Sequence, residues 1–360
     1  MIHSILKNVL LIVGLFFSSQ LLNAQEVIIG DASEFNLTID GTININANLI
    51  NNSPNTAFTG TVNYLGNTPY EISGAAPIEF ANLTINNTAG ISLLTDITVN
   101  TELNLLGGTI NLVSNNLTVG SAATNIIGSF SPSTMIIADG AGSLRMEITS
   151  IGTYLFPIGD TTVLVDYSPV SLNFTSGDFT NAVVSVNLKN EKHPENTSET
   201  DYLNKYWVVS QNGITEFSCD AVFTYSNEDI VGNESNIWGA QWNGNYWTPL
   251  NQASLNQFNG TITDFFEFTA GEKKALSVDD DFLSPDDIDI IVDNDHLIIR
   301  SNNNKFKLKR AEIYSVLGQM IYSRDLNNSV NELDFNANAD YFIVKVYTKN
   351  QFISKKIFKN

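Results

Sequence analysis

Short apolar–polar–apolar triads that return about every twenty residues constrain this chain more than any other feature. They are Leu37-Thr38-Ile39, Ile43-Asn44-Ile45, Leu83-Thr84-Ile85, Ile91-Ser92-Leu93, Ile97-Thr98-Val99, Leu103-Asn104-Leu105, Ile110-Asn111-Leu112 and Leu117-Thr118-Val119. Period-two alternation marks a strand with one buried face. Residues 83 and 103, 91 and 110, and 97 and 117 begin equivalent triads, so the repeat is 19 to 20 residues long. A looser turn follows with Ile126-Ile127, Met135-Ile136-Ile137 and Leu144. Three short strands per repeat predict a three-sided parallel β-solenoid of about three coils over residues 25–145. An antiparallel meander is the competing arrangement. Asn86-Asn87, Gly107-Gly108 and Asn115-Asn116 fall at the corners, where left-handed backbone is expected.

Charge limits what such a coil can do. The 360-residue chain has 18 Lys and Arg against 38 Asp and Glu. Such an acidic balance argues against a nucleic-acid partner, because phosphate contacts need clustered cations. Between Gln25 and Leu188 the only basic residue is Arg145, and no His occurs there. Cleavage of acidic polysaccharides needs cations for the substrate carboxylates and a base to take a proton. A glycosidase needs two carboxylates at a fixed separation. Asp31, Glu34, Asp40, Glu71, Glu79, Asp96 and Glu102 are scattered singly and read as solvated positions. A non-enzyme is therefore expected, with no catalytic residues, cofactor or metal.

From residue 146 to 278 the pattern changes to an antiparallel β-sandwich. Strand-like runs are Val163–Val165, Val170–Phe174, Ala182–Leu188, Lys205–Ser210, Cys219–Tyr225, Trp238–Trp242, Tyr246–Leu250 and Thr261–Phe268. Asn243-Gly244 marks a hairpin between Trp242 and Trp247, since Asn-Gly adopts the positive φ of a tight turn. Trp238, Trp242, Tyr246 and Trp247 are candidate carbohydrate-binding residues if exposed, and cross-strand core packing is the plainer alternative. His193 lies near Glu191, Glu195 and Glu199, but one imidazole lacks the ligand spacing of a zinc site, so a solvated loop is expected. With His296 the only other His beyond the leader, a Ser-His-Asp hydrolase is disfavoured. Cys219 has no intrachain partner and reads as a small buried hydrophobe. The stretches Gly152–Asp160, His193-Pro194, Tyr202–Trp207 and the Trp hairpin together resemble a module of large surface proteins from gliding-type Gram-negative bacteria. That resemblance implies no established activity.

The two ends of the chain suggest an address. Lys7, the apolar run Val9–Phe17 and Leu22-Asn23-Ala24 read as a secretory signal peptide over residues 1–24, too short to span a membrane. No later stretch reaches 18 consecutive apolar residues, so no transmembrane segment is expected in the mature chain. An acidic, Pro-interrupted linker occupies residues 279–287, and its carboxylates lack the regular spacing of a calcium loop. From 287 to 360 there are eleven Lys and Arg against nine Asp and Glu, so the rest carries the entire negative excess. Seven short strands are expected over residues 288–360, forming a small immunoglobulin-like β-sandwich.

That last segment carries Leu317-Gly318-Gln319 between two strands, the strand Tyr341-Phe342-Ile343-Val344-Lys345-Val346, and the ending Lys355-Lys356-Ile357-Phe358-Lys359. In combination these resemble the type A C-terminal sorting domain of type IX secretion substrates. The family's Gly before the late Tyr is Asp340 here, and Asp293-Asn294-Asp295 stands in place of its Pro-Asn-Pro entry. By resemblance, Leu317, Gly318, Gln319, Tyr341, Lys345, Val346, Lys355 and Lys356 form the sorting signal. The resemblance implies binding by the outer-membrane secretion translocon and delivery to the cell surface or medium. In this family the passenger is often anchored to surface polysaccharide. The sequence thus points to an all-β, exported, adhesin-like or structural protein. A carbohydrate-binding surface protein is the alternative, and a polysaccharide-degrading enzyme the least supported reading.

Overall fold

The computed structural model describes residues 20–22 and 26–358, apart from 31–34, 38–40, 55, 121–125, 163, 277–286, 294–295, 303–306, 327–329, 335–340 and 349–351. Lys7, Val9–Phe17 and Ala24 of the expected leader lie outside the described residues, as do most of the acidic linker, Asp340 and Lys359. Among the described residues there is no α-helix, and therefore none long and apolar enough to cross a membrane.

Residues 26–160 coil into a parallel β-solenoid. One ladder stacks Phe35, Thr56, Ile78, Ile97, Leu117 and Leu144 in successive coils. A second stacks Ile43, Val62, Leu83 and Leu103, then Asn104 on Ile127. A third pairs Ile28 with Ile50, Leu49 with Ile72, Ile72 with Leu93, and Ile91, Ile110, Ile136 and Ile158 in turn. The three equivalences read from the triads are register partners: 83 with 103, 91 with 110 and 97 with 117. The meander is excluded. The first two ladders meet at β-bulges, at Phe58/Thr61 and Val99/Glu102, where the extra residues bend one long strand around a corner. The solenoid has about 6 turns, twice the expected number. The additional turns carry no clear triads, because Thr56–Gly66 and Tyr70–Gly74 mix Tyr, Phe and Gly with polar residues.

The corner asparagines act differently from expectation. Asn86, Asn87, Asn115 and Asn116 do not have positive φ; Gly90, Gly108 and Val113 do. Instead, the asparagine side chains tie coils together. Asn87 Nδ2 donates to the Thr68 carbonyl at 2.7 Å, and Asn115 Nδ2 to that of Leu93 at 2.7 Å. Both bonds satisfy carbonyls that the bend removes from the ladders. Gly108 is required on two counts: its φ is +85°, and a Cβ would lie 1.7 Å from the Asn87 carbonyl oxygen.

The open edge of the last coil is closed by antiparallel strands. Val170–Lys189 pairs through Ala182–Val186 with Leu144–Ile148 and through Val170–Phe174 with Gly152–Phe156. It also runs beside Tyr206–Thr224 along most of its length. Each of these long strands had been expected as two separate strands with a turn between. Their polar, Gly-bearing midsections pair with each other, for example Asp178 with Thr215, and three register shifts bend the pair without reversing it. The expected Thr261–Phe268 strand is divided by a turn into Gln257–Ile262 and Glu267–Glu272. Of the expected Val163–Val165 strand, Val163 lies outside the described residues, and Leu164 and Val165 are exposed and outside any strand. Trp207, Phe223, Phe258 and Phe268 stack within the interior, with ring centroids 4.5 to 5.8 Å apart along the chain of contacts. The apolar core continues from Ile29 to Ala270.

A second unit, residues 277–360, has its own core of Leu297, Ile299, Ile313, Phe342, Val344 and Val346. Among the described residues its seven strands form two antiparallel sheets. One orders Ile288–Asp293, His296–Ser301 and Val330–Asp334; the other orders Met320–Asp325, Arg310–Tyr314, Tyr341–Tyr347 and Phe352–Phe358. The expected Phe306–Leu317 run contributes the strand Arg310–Tyr314, followed by the hairpin turn.

Candidate functional site

Trp242 and Trp247 are cross-strand partners flanking the hairpin, and Asn243 Oδ1 accepts the N–H groups of Asn245 and Tyr246 at 3.0 Å. Only Gly244 of the turn takes positive φ, +89°. The four candidate aromatics do not share one exposed row. Tyr246 is 56% exposed and Trp238 lies under the Lys273 ammonium at 4.9 Å. Trp242 is half-buried, and Trp247 is buried.

Against Trp247 packs His193, which is itself buried rather than solvated. The imidazole packs edge-on against Tyr206 and Trp247, both at 4.9 Å, and Trp242 at 6.3 Å. The Glu195 N–H donates to its Nδ1 at 3.1 Å, so Nε2 carries the proton directed at Glu267 Oε2, 2.7 Å away. Glu191, Glu195 and Glu199 do not gather around it. Beside this cluster is a cleft of about 500 Å³ lined by Gln211, Trp242, Asn243, Asp264, Phe266 and Glu267. An aromatic face with carboxylates and amides around it suits the CH and OH groups of a sugar.

A second cluster lies wholly inside and was not anticipated. Lys205 Nζ is 2.8 Å from Asp160 Oδ2, 2.6 Å from Asp166 Oδ1, 2.9 Å from Asp229 Oδ2 and 2.8 Å from Ser168 Oγ. Burial works against the Lys205 charge, but the three carboxylates outweigh it and hold its pKa above the usual lysine range. Burial pushes Asp160 up to about 6, and it raises Asp229 as well. A sequence signal for Lys205 existed: it stands two residues before buried Trp207, so alternation puts both side chains on the inward face. Nothing local marks its partners, which are 24 and 39 residues away for Asp229 and Asp166. Among the described residues, no group of three or more His, Cys, Asp or Glu side chains is placed to hold a metal ion.

In the C-terminal unit, Leu317 is 93% exposed at a hairpin tip whose Gly318 has φ +81°. The Ser315 N–H donates to the Gln319 carbonyl at 2.8 Å and closes the turn. Lys345 lies over the rings of Tyr314 and Phe352, and Lys356 over those of Tyr341 and Phe358. Lys355 Nζ donates to the Ile288 carbonyl at 2.6 Å, and Val346 is core. Glu312 accepts the hydroxyls of Tyr314 and Tyr347 at 2.6 and 2.7 Å, which holds its carboxyl below the usual range. His296 is exposed, 3.6 Å from Glu332.

No protein-family model matches this chain, and no curated protein matches it in sequence.

Proposed function

We propose that the chain is an exported, non-enzymatic cell-surface or secreted protein, adhesin-like or structural, delivered by its C-terminal unit. In this reading residues 1–24 are a leader and the outer-membrane secretion translocon recognises residues 288–360. The supporting observation is that the C-terminal unit closes a core of its own while presenting Leu317 and the strand Met320–Asp325 to solvent. A chain ending at Ser284, expressed in a host with the type IX pathway, should remain in the periplasm. Its normal appearance at the cell surface would end the proposal.

The cleft beside Trp242 favours one further reading, carbohydrate binding. On a glycan array the native chain should give a signal that Trp242→Ala abolishes. Trp247→Ala should weaken it indirectly, through the support that Trp247 gives to Trp242 and His193. No signal from the native chain leaves the structural role alone.

A further inference from the structure

The buried Lys205 cluster contains the parts needed for a covalent bond, and we propose that Lys205 and Asp160 condense into an intramolecular isopeptide crosslink. The nucleophile is Lys205 Nζ, fully buried and 2.8 Å from Asp160 Oδ2. Asp160 differs from its two neighbours. Asp166 Oδ1 and Asp229 Oδ2 accept aligned hydrogen bonds from the ammonium, and serine groups hold both carboxylates. Asp160 Oδ2 is buried and meets the ammonium at 2.8 Å without the alignment that the other two contacts have. Its other oxygen, Oδ1, accepts from the Asn190 amide at 2.8 Å and the Thr162 N–H at 3.1 Å. Two aligned donors on one oxygen, and none on the other, is the arrangement that stabilises an oxyanion on the first while the second departs.

The step balances without a co-reactant. The ammonium passes a proton to Asp229 or Asp166, and the Nζ lone pair attacks Asp160 Cγ. A C–N bond forms, negative charge collects on Oδ1, and the Cγ–Oδ2 bond breaks. Oδ2 leaves as water with the two protons that the ammonium gives up, and nothing is oxidised or reduced. The condensation replaces one buried ion pair by a neutral amide and releases water, so the desolvation cost of that pair is removed while the net buried charge is unchanged. The bond would join the last coil to the residue that leads into the strand Tyr206–Thr224, in a chain whose single cysteine forms no intrachain disulfide.

Mass spectrometry of the full chain, digested after denaturation, tests this. The peptide containing Asp160 should be found joined to the peptide containing Lys205, lighter by one water than the two together. Lys205→Arg retains a cation but should yield the two peptides separately at full mass. Asn190→Ala removes one oxyanion donor and should slow crosslinking on the order of 10²-fold, seen as an unlinked fraction that decreases with time. Separate, full-mass peptides from the folded native chain would overturn the proposal. So would a loss of water that persists in Lys205→Arg.

Discussion

The coils and the antiparallel strands that close them use the same period-two alternation, yet they bury different chemistry. Inside the coils most inward positions are aliphatic, as at Leu83, Leu103 and Leu117, with Phe58, Tyr64 and Phe80 among them, and the buried polar groups are mainly amides and hydroxyls such as those of Asn51, Thr56 and Asn87. Each of those amides bonds a carbonyl on an adjacent coil, as Asn51 does with Ala76 and Pro77. From the end of the last coil onward the interior takes in charge as well: a histidine paired with a carboxylate, and one lysine among three aspartates. A repeating coil meets the same environment above and below, so neutral side chains suffice and energy accumulates by stacking. The closing strands meet no copy of themselves. Their unique interior tolerates charge only where every partner is in place.

Substitutions can break that contrast, the largest effect being expected at the lysine. Lys205→Met leaves buried carboxylates without their cation and should cost about 3–5 kcal/mol, read by denaturant unfolding of residues 26–276 within the full chain. Leu103→Ala, in the middle of the stack, should cost about 2–5 kcal/mol by opening a cavity between neighbouring coils. Asn187 bridges the two regions, since its Nδ2 reaches the carbonyls of Ala138, Gly140 and Gly142 at 2.8, 3.1 and 2.6 Å. Asn187→Leu strips those carbonyls and should cost about 1–3 kcal/mol.

Acidity sharpens the comparison next. Asp160 titrates at about 6 in the folded chain, above the ordinary carboxylate range it has when unfolded. The folded state therefore holds that proton more tightly, and the resulting stability is full below the ordinary value and disappears as pH rises through 6. With a free Asp160, the melting temperature should rise from pH 7 to pH 5. A crosslinked chain should lose the part of this rise that Asp160 supplies, since the amide has no carboxyl there to titrate. The smallest effect belongs to Leu317→Ser, which should change stability by less than about 0.5 kcal/mol because the side chain is already in water. If the hairpin tip is read by the translocon, the same change should reduce surface display.

Much of the coil was legible because its information is local and repeated. Ile97-Thr98-Val99 and Leu117-Thr118-Val119 each indicate a buried face by themselves, and their spacing indicates that they stack. The candidate aromatics were legible as types, but their exposure was not: Trp247 and Trp238 look alike in sequence, and only the first packs against His193. His193 itself reads as a loop residue because the groups that bury it, Tyr206, Trp247 and Glu267, come from three different strands.

By itself, then, the sequence determined an all-β chain, the equivalence of the triads twenty residues apart and the seven strands expected in its last unit, while the structure decided that the coils stack in parallel rather than as a meander. Period-two alternation and a twenty-residue spacing are short-range properties that a strand carries wherever it is placed. Tertiary structure alone decided that two pairs of expected strands run on as two bent ones, and which aspartates meet Lys205. Those outcomes depend on pairings across many residues, where polar and Gly-bearing segments are equally able to turn or to pair until a partner strand lies beside them.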